Sequence, residues 1–595
     1  MTRPRSAQEL IHWLEIGGGA RWLRRAAVVA GVAVLSLLVA WKQFRGPGSE
    51  ATLEQAAIGR QLARGEGFTT LVNHPQTAAF LEHRGVRFDA ARPFPSLHHA
   101  PLYPLVVAGG LRALPAGWRE KLFAAPAAPL DGFGADFFLL GLNVAVLWLA
   151  AWLTYLLGAR LFDPRTGWVA AGALLLSASI WQQTVAVTGT PLLMVLALAA
   201  FLVWRRVELA ADRGAPLAWL GALGAMAALL FLAEYSAGAL LAVALAYAGW
   251  RFAGAARWLA LAALLAGFAV VAGPWLARNV ALAGHPVALA AHHVALKAGD
   301  PTAEPATLRA TLSADAPSVD LNKLANKALT SLQENLQSRL WSGGAMWFAA
   351  LFAAGWLYAF RSPVANRLRW LFTAALAVLL VSQAVFNSGE TERHVAGWLA
   401  PLMLVFGAGF FWVLLGANAP LAAWPRAAAV ALLALQAVPL AHDALEPARL
   451  PFRYPPYWPP LFANLRDQLA QRGAADRFGL MADVPAGVAW YGGVRAWAQP
   501  PRLRDFYAIT ITQPIGGLLL TPRTLDRPFF SALNARPLQR AGPNAVRSRF
   551  GEWGEIYAGL LTGALPTAFP LGAARKIDEN LYVLLNPALP PVRGN

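Results

Sequence analysis

The sequence predicts a polytopic α-helical membrane protein with a C-terminal extracytoplasmic α/β domain, and three observations carry that prediction. Hydrophobic residues make up 57% of the chain and charged residues 14%, with a mean hydropathy of +0.45, whereas soluble globules hold about 25% charged residues. Apolar runs of about 18–20 residues recur, each long enough at 1.5 Å per residue to cross a hydrocarbon core of about 30 Å. From about residue 442 the composition turns proline-rich, and short apolar β-like runs then alternate with helical ones.

Taken in order, residues 1–25 read as a cytoplasmic amphipathic lead-in, with Leu10, Ile11, Trp13 and Leu14 suited to the membrane interface. The first span, 26–43, follows Arg21, Arg24 and Arg25 and shows no small-residue cleavage site, so it is expected to be a retained anchor. Further spans are expected at 136–158, 166–183, 189–205, 215–232, 235–250, 256–276, 344–360, 369–386, 394–416 and 424–441, about eleven in all. Alternation along these spans places Arg160 with Arg165, Arg205 with Arg206, Arg251 with Arg257, and Arg361 through Arg369 on the cytoplasmic side, as the positive-inside rule requires. The C-terminus is then extracytoplasmic, and the reading is a multi-pass protein of a bacterial inner membrane. Its outer loops are 44–135 and 277–343, its transmembrane unit 1–441 and its soluble unit 442–595.

The net charge of +18 sits in those short connections between spans. It therefore reads as a topology signal and not as the basic stripe of a nucleic-acid-binding protein. The absence of cysteine excludes disulfides and thiolate metal sites. In the soluble unit a proline- and aromatic-rich linker, Pro451 to Pro460, precedes an amphipathic helix over Leu461–Arg472. Strands are expected near Phe478–Ala482 and Arg495–Ala498, with a β-like run at Ile515–Leu520. Strands alternating with helices point to a small α/β domain, and about 150 residues suffice for its core.

The first outer loop gathers the chemistry. On a helix through Leu53–Leu62, Glu50 and Glu54 share one face, being four residues apart. A carboxylate beside a membrane serves as a general base toward an acceptor hydroxyl once desolvation raises its pKa; a solvated face paired with Arg60 and Arg64 is the alternative reading. His98 and His99 precede a turn set by Pro101 and Pro104 and suit phosphate contact or local structure. His74, His83, Glu82 and Asp89 would supply ligands if a divalent metal takes part, although the spacing assigns none. Arg278, after Gly273-Pro274-Trp275-Leu276, and Arg393 with His394 lie at the outer mouths of spans, where cations suit a lipid-linked phosphate. An interfacial anchor is the other reading for Arg278, and a pair with Glu390 or Glu392 the other for Arg393. Glu234 sits with Tyr235 where two spans meet, an acid at membrane depth.

In this order, the span, the acidic loop leading to Ala63-Arg64-Gly65-Glu66-Gly67-Phe68, and His99-Ala100-Pro101-Leu102-Tyr103-Pro104 resemble the GT-C class of membrane glycosyltransferases, specifically the bacterial family 39 or protein-mannosyltransferase-like group. Pro274-Trp275-Leu276-Ala277-Arg278-Asn279 followed by Gly284-His285-Pro286, and Ala482-Asp483-Val484-Pro485 to Trp490-Tyr491-Gly492-Gly493, are similar to segments of that group. The resemblance implies a polyprenyl-phosphate-linked sugar as donor, transfer on the outer face to a lipid, glycan or protein acceptor, and attack at the anomeric carbon with inversion. It implies a GT-C-like transmembrane unit and a carboxylate acting as base or helping to place a metal; set beside the basic span mouths, His99, Tyr103, Arg278, Arg393 and His394 are expected to be the residues at the lipid phosphate. Glu54 stands where the group carries an aspartate, one methylene longer. Ala100 replaces one proline of its His-Pro-Pro-Leu-Tyr-Pro segment. Two other classes stay open: a transporter or flippase of a lipid-linked saccharide, which needs polar groups at midplane depth, and an inactive relative acting in envelope assembly.

Overall fold

The structure is a computed structural model. It describes residues 18–86, 93–126, 132–300, 308–315, 317–387, 393–417, 423–446, 459–525, 552–572, 574–578 and 581–591. The amphipathic lead-in before residue 18, most of the proline-rich linker, Asp89, Glu390 and Glu392 lie outside the described residues.

Each expected span falls on helical chain, but the helices are less uniform than the hydropathy pattern suggests. Among the described residues, six are long and apolar enough to cross a membrane: Trp22–Gln43, Gly134–Leu161, Gly254–Ala283, Pro363–Phe386, Ala400–Ala417 and Pro425–Leu445. Two further pairs are bent, Ala178–Val185 with Thr190–Arg213 by 119° and Leu321–Ser342 with Trp347–Leu357 by 109°. The first bend has a local cause. Gly189 caps the second helix in the left-handed region at φ +74, with Pro191 at the helix start, so the chain turns there before helical geometry resumes.

The chain after residue 459, joined by one strand of the first loop, forms a six-stranded sheet. Its strands are β2 (Val72–Asn73), β4 (Gly479–Ala482), β5 (Ala496–Ala498), β6 (Ile515–Leu520), β7 (Ala574–Asp578) and β8 (Leu581–Leu585), in the order β2-β5-β4-β6-β8-β7. The β2, β5, β4 and β6 strands run parallel, and β8 and β7 add antiparallel. Burial follows position. All six residues of β6 are buried, as its unbroken apolar run requires of a strand covered on both faces. The edge strand β7 exposes Arg575, Lys576 and Asp578, charges that discourage pairing with another chain.

One edge strand, β2, comes from the first loop and pairs with β5 through Val72–Ala496 and Asn73–Trp497. The same loop forms a ribbon of β1 (Thr69–Thr70) with β3 (Phe94–Pro95). Side chains strengthen the junction: Trp490 Nε1 and Tyr491 Oη donate to the two carboxylate oxygens of Asp136 at 2.8 and 2.9 Å, on a spanning helix. Arg60 donates to the Trp490 carbonyl at 2.9 Å and lies 3.7 Å over the Phe123 ring. Loop, helix bundle and sheet thus form a single packed junction.

Candidate functional site

At that junction lies the Glu50–Arg64 helix. Ser49 caps its start, its hydroxyl accepting from the Thr52 N–H at 3.2 Å, and Gly65 ends it in the left-handed region. Leu53, Ala56 and Ile58 are fully buried. Gly59 lets the helix approach the Leu102–Ala113 helix so closely that a Cβ would lie 2.8 Å from Val107. Packed on all sides, this helix holds its polar residues at fixed positions.

Glu54 is 4% exposed and meets three basic side chains. His74 Nε2 lies 3.1 Å from both carboxylate oxygens, His99 Nε2 3.1 Å from Oε2, and Arg309 Nη1 3.3 Å from Oε2. Burial alone would favour the protonated acid. The electrostatic pull of His74 and then His99 beside it outweighs that and holds the carboxyl well below its usual range. Glu54 thus favours its charged form and draws two loops together.

Glu50, one turn earlier, faces the sheet domain. It accepts from the Ala486 N–H at 2.9 Å, and Arg523 Nη1 lies 3.9 Å away. Burial dominates here and pushes its carboxyl up to about 7, against the opposing pull of Arg523. The two acids of one helix face thus have divergent environments.

Gln55, next to Glu54, opens the second half of the site. Its Oε1 accepts from Arg393 Nη2 at 2.7 Å, and its Nε2 lies 3.5 Å from His99 Nδ1. Arg393, 3% exposed, also donates from Nε to the Thr188 carbonyl and from Nη1 to the Ala233 carbonyl at 3.0 Å, and Glu234 stands 3.8 Å away. Its guanidinium lies 5.4 Å over the Tyr103 ring, whose hydroxyl donates to the Val187 carbonyl and accepts from Asn143. Together Gln55, His98, His99, Glu234, His285 and Arg393 line the polar part of a cavity of about 390 Å³. Its remaining wall is apolar, with Phe231, Val287, Val294 and Phe386. His98 is held by Thr77 at 2.6 Å and stacked 4.5 Å from His293; burial and the neighbouring charges of His293 and Arg309 keep it neutral.

The structure gathers most, not all, of the residues singled out from sequence. His99, Arg393 and Glu234 line the cavity, Tyr103 buttresses Arg393, and Glu54 is connected through His99. Arg278 is engaged elsewhere: it donates to the Phe68 and Ser96 carbonyls and is flanked by Phe68 and Trp275, tying the loop to a spanning helix. His394 caps the short Val395–Trp398 helix, half-buried beside Arg339, where burial pushes its imidazole down to about 4. Sequence reasoning did not pick out Gln55, Arg309 and Asn143, and it treated His74 only as a ligand in reserve. Arg309 lies 255 residues from its partner, so no local spacing reveals it.

Among the described residues no group of three His, Cys, Asp or Glu side chains is disposed to hold a metal. The Glu54 carboxylate is engaged there by two imidazoles and the Arg309 guanidinium.

Neither a family model nor a curated protein matches the chain. Solved structures do. The Archaeoglobus fulgidus oligosaccharyltransferase, in complex with zinc and sulfate, matches at TM-score 0.51 and 13% identity, over 85% of this chain and 70% of its own. ArnT from Cupriavidus metallidurans, bound to undecaprenyl phosphate, matches at TM-score 0.50 and 14% identity, over 96% of this chain and 99% of its own. This chain therefore has the fold of the GT-C membrane glycosyltransferases.

Proposed function

We propose that the protein transfers a sugar from a polyprenyl-phosphate-linked donor to an acceptor hydroxyl at the outer face of a bacterial inner membrane. The observation that carries this reading is the cavity's composition: a buried arginine and histidines on one side and an apolar wall on the other, in a fold shared with a protein solved with undecaprenyl phosphate. Such a wall suits an isoprenoid chain, and Arg393 suits the phosphate, its charge-assisted donors stronger away from water.

In the proposed reaction the acceptor oxygen attacks the anomeric carbon, the bond from that carbon to the phosphate oxygen breaks, and the lipid phosphate leaves with the electron pair. The acceptor proton passes to His99. With Nε2 turned to Glu54 at 3.1 Å, the proton would be taken at Nδ1, which lies 3.5 Å from the Gln55 amide nitrogen and would exchange that contact for the acceptor hydroxyl. The base role assigned to Glu54 is then exercised through that imidazole, which becomes a cation facing a fixed carboxylate. Arg393 meets the charge developing on the leaving phosphate. Tyr103 and Gln55 set its position, and Arg278 secures the loop that carries His99.

The test is mass analysis of lipid-linked sugars and envelope glycans in cells lacking the gene. A lost sugar, with its lipid-linked form accumulating, supports transfer, and restoration by the parent gene but not by Glu54→Gln ties it to this site. Unchanged glycans and lipid-linked sugars would count against it.

A further inference from the structure

The sheet domain holds a second cavity, of about 280 Å³, which the proposed transfer does not use. It opens at the carboxyl ends of the parallel strands. Asp483 directly follows β4, Gln499 follows β5 and Thr521 follows β6. Because β4 pairs with β5 on one side and β6 on the other, the chain reverses its direction of travel across the sheet at this point. Open α/β sheets form ligand crevices at such positions.

The lining is specific in its chemistry. Asp483 Oδ2 accepts from the Thr521 N–H and hydroxyl, both at 3.0 Å, and from the Thr524 N–H at 3.3 Å. Asp483 lines the cavity, and its Oδ1 is buried with no hydrogen-bond partner among the described residues. An unmet buried acceptor costs stability, and a hydroxyl donor brought into the cavity would remove that cost. Gln499 Nε2 donates to the Tyr557 hydroxyl at 3.1 Å, leaving the Gln499 carbonyl oxygen and second N–H for other partners. The Trp553 and Tyr557 rings, stacked nearly parallel at 19° with centroids 6.0 Å apart, add apolar surface to the same lining.

We propose that this cavity binds one ring of a neutral saccharide. A phosphate or carboxylate would meet Asp483, and a cation would meet Arg523, which also lines the cavity. A polyhydroxylated ring instead uses both signs of hydrogen-bonding group and rests its C–H face on the aromatic rings. The volume suits one ring, being near the lower limit of about 300 Å³ for small-molecule sites. Arg523 also approaches Glu50 on the Glu50–Arg64 helix, so the cavity adjoins the helix that carries Glu54.

The test is retention of the full-length, detergent-solubilised protein on an array of neutral, sulfated and sialylated glycans. Asp483→Asn keeps an oxygen for the Thr521 and Thr524 donors but turns the free acceptor into a donor, and Gln499→Ala removes the amide. The parent is expected to bind at least one neutral glycan, and each variant to bind it at least tenfold more weakly with unchanged thermal unfolding. Retention on no neutral glycan, on charged glycans alone, or equally in parent and variants overturns the proposal. Should Asp483→Asn not fold, Gln499→Ala alone decides the outcome.

Discussion

Nε2 of His99 lies 3.1 Å from Oε2 of Glu54, while the His99 imidazole lines the cavity. Glu54 therefore reaches the cavity only through His99, the contact that the proposed mechanism uses. Replacing it with Gln leaves Arg309 buried without its anion and removes the charge facing the imidazole. Sugar transfer is expected to fall by about 10²–10⁴-fold, the range of a lost general base, while donor affinity stays close to the parent's, because Glu54 does not line the cavity. Steady-state transfer and donor binding measured on one preparation check this; transfer equal to the parent's contradicts it. Glu54→Asp keeps the charge but withdraws it by about 1 Å, so a loss near a hundredfold is expected.

Arg393 holds three different acceptors, on Gln55, Thr188 and Ala233, with donors to spare. A lysine keeps the charge but not the planar fork, and such exchanges are not conservative at a multidentate site. Arg393→Lys is expected to weaken undecaprenyl phosphate binding about tenfold or more, a loss of about 1.4 kcal/mol or greater. Titration with that lipid in nanodiscs measures it.

Arg278 sits outside that cavity and grips the Phe68 and Ser96 carbonyls. Arg278→Ala is expected to accelerate amide hydrogen exchange across residues 66–73 and 94–98, because the loop loses its tie to the helix bundle. The effect on lipid phosphate affinity should be smaller than that of Arg393→Lys. Unchanged exchange with a larger affinity loss would instead assign Arg278 to the phosphate.

At Gly189, φ is +74 and an added Cβ would lie 2.8 Å from the Tyr103 ring and 3.0 Å from Arg393 Nη2. Gly189→Ala therefore combines a left-handed backbone penalty of about 1–2 kcal/mol with displacement of the guanidinium. A lower unfolding midpoint together with weaker lipid phosphate binding is expected.

The Glu50 carboxyl, at about 7 in the folded chain against 4.5 as the ordinary value, keeps its proton to higher pH in the folded state than in the unfolded one. Its contribution to stability therefore declines as pH rises from about 4.5 to 7 and is flat above that, by at most about 3 kcal/mol. Glu50→Gln keeps the acceptor for the Ala486 N–H and removes the titration. Thermal unfolding at pH 5 and pH 8 should show a higher midpoint for the variant than the parent at pH 8, with the difference shrinking at pH 5.

Long-range chemistry marks the boundary of what the sequence revealed. Apolar runs marked helical chain, because burial in hydrocarbon is written as unbroken hydropathy, but against about eleven expected spans the described residues hold six helices long and apolar enough to cross, or eight counting the bent pairs. The runs did not show the 119° break, which depends on one left-handed glycine and an adjacent proline. Ile515–Leu520 was legible as strand from its apolar run. Strand β2 was not, since two residues carry no periodicity and its pairing with Ala496 and Trp497 spans more than 400 positions. Glu54, His99 and Arg393 stood out as charged groups in apolar surroundings. Arg309 and Gln55 did not, because their roles come only from tertiary contact.

The central claim, lipid-phosphate-dependent sugar transfer at the cavity between Gln55, His99 and Arg393, meets its most direct test in purified protein reconstituted into vesicles with a polyprenyl-phosphate-linked sugar and envelope extract as acceptor. The measurement is release of polyprenyl phosphate matched to labelled sugar in the acceptor fraction. The account predicts turnover by the parent and at least a hundredfold less by Glu54→Gln. Turnover that is equal in both, or absent from the parent with every lipid-linked sugar supplied, would contradict it.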